Sequence, residues 1–159
     1  MRDCGDCSLC CKVIHVESLR KPAGTWCQHC SKGSATACQI FRKPERPYEC
    51  GKFQCTWTKQ YDWPEMMKPS KSRMVFEDID SKILLVTCDP DMPSGWKESL
   101  PIKRFLKKLA LGGKAVVIRA GKETHTLLPR GMTNEQVWDK LRAEYDRWQH
   151  QRTPTISPP

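Results

Sequence analysis

The chain predicts an α+β protein in which an irregular, cysteine-rich metal-binding N-terminal region precedes a small β-β-α-β-β-α layer. Three observations carry that expectation. Nine of the ten cysteines lie within the first 55 residues; the same stretch shows no helical or strand period; and from Met74 onward apolar periods of about two and about 3.6 residues alternate. A length of 159 residues suits one compact unit, or one small unit with an appendage. The expected boundaries are 1–65 for the cysteine-rich region, 66–150 for the α+β region and 151–159 for a disordered, Pro-rich tail.

The first region needs a staple. About forty residues without regular structure between Cys11 and Cys50 are improbable in a compact domain unless something ties them together. Metal coordination is the expected tie, because in small metal domains the binding free energy becomes folding free energy. No apolar run approaches the roughly 18 to 20 residues of a spanning helix, and Met1 to Cys10 lacks the apolar stretch of a signal peptide. A cytoplasmic protein with no membrane partner is therefore expected. In a reducing cytosol clustered cysteines are more often metal ligands than disulfides; the opposing reading is a disulfide-bonded exported protein.

The second region reads element by element. Met74 to Glu77 and Lys82 to Cys88 predict two strands joined across the turn-rich Asp78-Ile79-Asp80-Ser81, and Asp89 to Pro93 stops the second. Cys88 ends an apolar run and is expected in the core. Ile102, Phe105, Leu106, Leu109 and Ala110 recur at helical spacing over Leu100 to Leu111, with Ser99 as N-cap and Gly112-Gly113 as stop. Ala115 to Arg119 and Thr124 to Leu128 predict a second strand pair around Gly121. A helix over Asn134 to Trp148 follows, with Thr133 and Gln136 in capping-box positions and Val137, Trp138, Leu141, Tyr145 and Trp148 on one stripe. This order predicts a small sheet with helices on one face. Phe53, Trp57, Tyr61 and Trp63 suit the junction between the two regions.

Cysteine spacing bears on the chemistry. Two residues between cysteines let a tight turn aim both thiolates at one ion, and C-x2-C-x15–20-C-x2-C is a recurrent zinc pattern. Cys7-x2-Cys10 and Cys27-x2-Cys30, separated by sixteen residues, fit it. Cys4 or Cys11 would serve equally well in the first pair. The ferredoxin run C-x2-C-x2-C-x3-C-P is matched only by Cys4, Cys7 and Cys10. Nine thiols with His29 suffice for two four-ligand sites or one polynuclear site, so the grouping stays open. Paired C-x2-C halves favour zinc. Cysteine density and the adjacent Cys10-Cys11 pair favour an iron–sulfur cluster.

The order of these residues carries a resemblance. Cys4-x2-Cys7-x2-Cys10-Cys11, Lys21-Pro22-Ala23-Gly24, Cys27-Gln28-His29-Cys30, Cys38-Gln39-Ile40-Phe41, Arg46-Pro47-x2-Cys50 and Phe53-x-Cys55 together resemble the YkgJ-type cysteine-cluster family. Its members are bacterial proteins described as zinc- or iron-chelating domains with a CxxCxxCC motif. The resemblance covers about the first third of the chain. It implies metal chelation through Cys4, Cys7, Cys10, Cys11, Cys27, Cys38, Cys50 and Cys55, with Cys30 an additional thiol found in part of the family. Phe41 stands where Tyr is common. Some relatives carry an iron–sulfur cluster linked to flagellin lysine methylation, so the resemblance leaves both metals open.

The remaining signals are weaker. Pro47 suits the start of a helical turn that delivers Cys50, and Arg46 suits a hydrogen bond offsetting thiolate charge. The net charge of +9 assumes neutral thiols. Each four-thiolate site holding a divalent ion carries two negative charges, so two sites would leave about +5. Lys103, Arg104, Lys107 and Lys108 form a cationic helix face, with Lys140, Arg142 and Arg147 on the last helix. Nucleic-acid binding is accordingly the reading from a second class. No P-loop, GxSxG elbow, HExxH helix or dinucleotide fingerprint is present, so no catalytic residue is assigned.

Overall fold

Two apolar runs, Ile83 to Val86 and Ala115 to Ile118, pair in parallel at the centre of a four-stranded mixed sheet. The computed structural model describes residues 2, 5–32, 37–41 and 43–150, with side chains as far as Arg147. The expected disordered tail and the side chain of Trp148 lie outside the described residues.

The strands are β1 (Met74–Asp78), β2 (Ile83–Cys88), β3 (Ala115–Ala120) and β4 (Glu123–Leu127), in spatial order β1-β2-β3-β4. The outer pairings are antiparallel and the central one parallel. Asp80 makes the first turn, its Oδ1 accepting the backbone N–H groups of Lys82 and Ile83 at 2.7 Å each. A parallel pair cannot be closed by a tight turn, so the chain crosses from β2 to β3 through helices. Among the described residues, four short α-helices precede the sheet, α1 (Cys10–Val13), α2 (Tyr48–Lys52), α3 (Thr56–Lys59) and α4 (Pro69–Ser72). The crossover consists of α5 (Gly95–Glu98) and α6 (Leu100–Leu111), and α7 (Asn134–His150) closes the fold.

The helix ends follow the local chemistry. Gly113, at φ 94°, ends α6 in a Schellman arrangement: its N–H donates to Ala110 O at 3.0 Å and that of Lys114 to Leu109 O at 3.1 Å. Thr133 and Gln136 form the expected reciprocal capping box at the start of α7. Ser99 occupies the N-cap position of α6 but makes no side-chain cap hydrogen bond.

Helices cover both faces of the sheet, not one as the element order suggested. Leu84, Val86, Cys88, Val116, Ile118 and Ala120 share a cluster with Ile102 and Leu106 of α6. Ile83, Leu85, Ala115 and Val117 pack instead with Val137 and Leu141 of α7. Continuous apolar runs on β2 and β3 have this physical cause: a strand buried on both faces has no polar side to alternate. Cys88 is buried as expected, whereas Tyr145 is 63% exposed and leaves the α7 stripe.

The cysteine-rich segment clasps the β1 edge. On one face Cys55, Trp57, Trp63 and Met67 join the cluster of Met74 and Phe76, with Phe53 packed against it; on the other, Leu9 and Val13 pack on Val75. Trp63 sits edge-on to both Phe76 and Phe105, with ring centroids 5.2 and 5.0 Å apart. Tyr61 departs from the expected junction set, at 65% exposed.

Candidate metal centre

Cysteines from four separate stretches gather beside α1. Cys10 and Cys11 lie on α1, Cys27 and Cys30 on the turn that follows, Cys38 on a strand-like bridge to Cys30, and Cys50 on α2. Local hydrogen bonds set each position. Cys27 N–H donates to Cys11 O at 3.0 Å and Cys30 N–H to Cys27 O at 3.1 Å. His29 contributes its backbone, whose N–H donates to Cys27 Sγ at 3.4 Å, while its ring Nε2 lies 3.3 Å from the Gln28 amide.

The Cys27-to-Cys30 turn aims the His29 N–H at the Cys27 sulfur, and the Leu9 amide pulls the Cys7 thiol in the same sense. An amide aimed at sulfur favours the thiolate, which is the form that ligates. Pro47 is the N-cap of α2, as its position predicted, and Arg46 Nη2 donates to Cys50 O at 2.6 Å while its guanidinium stacks 4.5 Å from the Phe41 ring. Arg46 therefore fixes the turn that carries Cys50 and lends it positive charge.

Burial and mutual proximity raise Cys11, Cys30 and Cys50. The hydrogen bond to Cys10, followed by burial, pushes Cys11 well up. Burial and the neighbouring Cys11 push Cys30 and Cys50 up to about 11, against an opposing pull of Arg46 on Cys50. At the centre lies Lys21, 6% exposed, whose Nζ donates to the carbonyls of Lys12 at 3.1 Å, Pro22 at 3.2 Å and Ile14. Burial holds its pKa down, while Cys27, Cys11, Cys50 and Cys10 pull it the other way. Four thiols thus act on one buried ammonium.

Cys7 and Cys55 form a second group. They line a small pocket with Cys10, Trp57, Thr58, Pro69 and Val75. Burial raises both thiols; Cys7 is opposed by the amides of Leu9 and Ser70, and Cys55 by the amides of Phe76, on the sheet edge, and Trp57. The buried indole Nε1 of Trp57, on the wall of this pocket, has no hydrogen-bond partner. Cys4 lies outside the described residues.

Among the described residues none of the cysteines is in a disulfide, and no three Cys, His, Asp or Glu side chains stand ready as a ligand set for one ion. No family model, curated protein or solved structure matches the chain.

Sequence reasoning missed two residues here, Lys12 and Lys21. Lys12 is 3% exposed and binds Asp89 and Asp91 rather than water. Both lysines sit beside the motifs already noted, yet a lysine carries no mark of burial in its own sequence. The Lys21-to-Gly24 segment is explained by the same junction. Gly24, at φ 84°, donates its N–H to Lys12 O at 3.0 Å, and a Cβ on it would lie 3.4 Å from Pro90 Cγ.

Proposed function

We propose that the chain is a metal-chelating, zinc-binding cysteine-cluster protein of a reducing compartment such as the cytoplasm, in which thiolates hold one or more ions with a mainly structural role. The observation that carries this reading is the gathering of Cys10, Cys11, Cys27, Cys30, Cys38 and Cys50 from four stretches of chain, with the buried Lys21 acting on four of them. Soft sulfur donors, half-buried and supplied with amide hydrogen bonds, suit zinc in their chemistry. A bound ion would cross-link stretches that share little apolar core of their own.

The residues have separable tasks. The Cys27-to-Cys30 turn and α1 offer paired sulfurs, and a cysteine has a single side-chain torsion, so gathering four sulfurs on one ion takes rotation between staggered wells. Lys21 offsets thiolate charge from within, and Arg46 does so at Cys50. Cys7 and Cys55, with Cys4 preceding them, extend the donor set toward the β1 edge.

One observation favours a second reading, an iron–sulfur cluster. Six thiols in one compartment exceed the four that a single zinc accepts, and Cys10 and Cys11 are adjacent in the chain, which suits neighbouring centres. Elemental analysis with an absorption spectrum, on protein purified without oxygen, separates the two. About one to two zinc ions per chain and no visible absorption are expected. Iron with acid-labile sulfide would replace the first reading by the second, and neither metal at stoichiometric level would overturn both.

A further inference from the structure

The cations of the two long helices are treated differently by the fold. On α7, Lys140 pairs with Asp80 at 3.0 Å, Arg142 with Asp139 at 2.6 Å and Arg147 with Glu144 at 2.6 Å. On α6, no carboxylate occurs in the helix, and Lys103, Arg104, Lys107 and Lys108 take part in no ion pair among the described residues. Four unneutralised cations on one helix repel one another, a cost that a polyanion would remove.

Their arrangement adds shape to the charge. At about 100° per residue, Leu100 and Leu111 lie on the midline of the solvent face. Lys103 and Lys107 fall on one flank of that line, and Arg104 and Lys108 on the other. The leucines are 51% and 89% exposed and stand at the two ends of the face, with the four cations between them on either side of the midline. A duplex groove has the complementary form: two walls of phosphate and a floor of base edges that includes apolar methyl groups.

We infer that the exposed face of α6 binds double-stranded nucleic acid, with its two cationic flanks on the phosphates of opposite strands. This activity is independent of the cysteine cluster. It uses phosphate contacts, so it is salt-dependent and largely indifferent to sequence.

The test is fluorescence anisotropy of the full chain with a labelled mixed-sequence DNA duplex of about two helical turns. With four phosphates neutralised, affinity should fall about 100-fold between about 50 and about 200 mM salt. Lys107→Gln should reduce the slope of log affinity against log salt by about 1, and Gln at all four positions should abolish binding. Gln at Lys140, Arg142 and Arg147 should leave binding nearly unchanged. Equal weakening by the α6 and α7 variants would mean that net charge alone is felt, and would overturn the inference. So would absence of duplex binding, or capture by phosphatidylglycerol vesicles in its place. Should the fourfold variant fail to fold, the slope of the single variant still decides.

Discussion

Lys12 Nζ lies 2.7 Å from Asp89 Oδ1, with side chains 4% and 0% exposed. The pair joins the residue after Cys11 to the residue after Cys88, and so ties the cysteine-bearing helix α1 to the end of β2. Arg73 completes it by pairing with the other carboxylate oxygen. Removing one member of a buried ion pair leaves a charge uncompensated, at about 3 to 5 kcal/mol. Because Arg73 remains, Lys12→Met should cost near the lower end, about 3 kcal/mol in urea unfolding. Lys12→Met combined with Asp89→Leu should recover part of that loss; no recovery would show that the pair is not the cause.

Lys21 should couple stability to metal retention. Lys21→Met removes a donor from three carbonyls; Lys12 O keeps the Gly24 N–H and Pro22 O the Thr25 hydroxyl, so Ile14 O is the one left unsatisfied, at about 1 to 3 kcal/mol. It also removes the positive charge among the thiols. The variant should lose metal to a chelator faster than the parent does, while a surface change such as Lys82→Met should not. Equal loss rates would confine Lys21 to a structural role.

Cysteines inside and outside the cluster should separate cleanly. Cys11→Ser should lower bound metal and loosen the N-terminal segment. Cys88→Ala, in the apolar cluster under α6, should leave metal content unchanged and cost about 1 kcal/mol, a small buried truncation. Reduced metal content in Cys88→Ala would contradict its assignment as a core residue.

The raised thiols give a signed pH dependence. Cys30 and Cys50 stand at about 11 against an ordinary 9.0. The folded, metal-free protein thus holds their protons more tightly than the unfolded chain. Their contribution is complete below about pH 9 and is lost as pH rises through 11. Urea midpoints of reduced, metal-free protein should therefore fall between about pH 9 and 11. Metal loading at neutral pH should release protons, visible as buffer-dependent heats in calorimetry.

Gly24→Ala tests the contact between the Lys21-to-Gly24 segment and the loop after β2. Alanine in the left-handed region costs about 1 to 2 kcal/mol. The added methyl would touch Pro90 at ordinary contact distance, so the strain is in the backbone. Destabilisation of that order is expected by thermal unfolding, and a neutral result would mean that the loop gives way freely.

Much of the fold was legible in local pattern. Strand and helix spans followed from period, and the α7 capping box from Thr133 and Gln136. The error over the helices has a definable source: apolar runs at Ile83 to Val86 and Ala115 to Ile118 mark strands covered on both sides, whereas element order alone says nothing of faces. Tyr145 looked apolar by spacing, but its position turns past the edge of the face that Val137 and Leu141 bury. At the cysteines, spacing marked candidate donors and left their grouping open, while Arg46-Pro47 marked the turn that carries Cys50.

By itself the sequence determined which residues carry thiols, which stretches repeat at strand or helix period, and where helices start and stop. These depend on neighbours a few residues apart. Only the tertiary structure decided that Cys10, Cys11, Cys27 and Cys50 act on the buried Lys21 while Cys7 and Cys55 face the β1 edge, and that Lys12 is buried against Asp89. Those outcomes rest on partners as far as 77 positions away, supplied by carbonyls, carboxylates and sulfurs that the chain brings together only on folding.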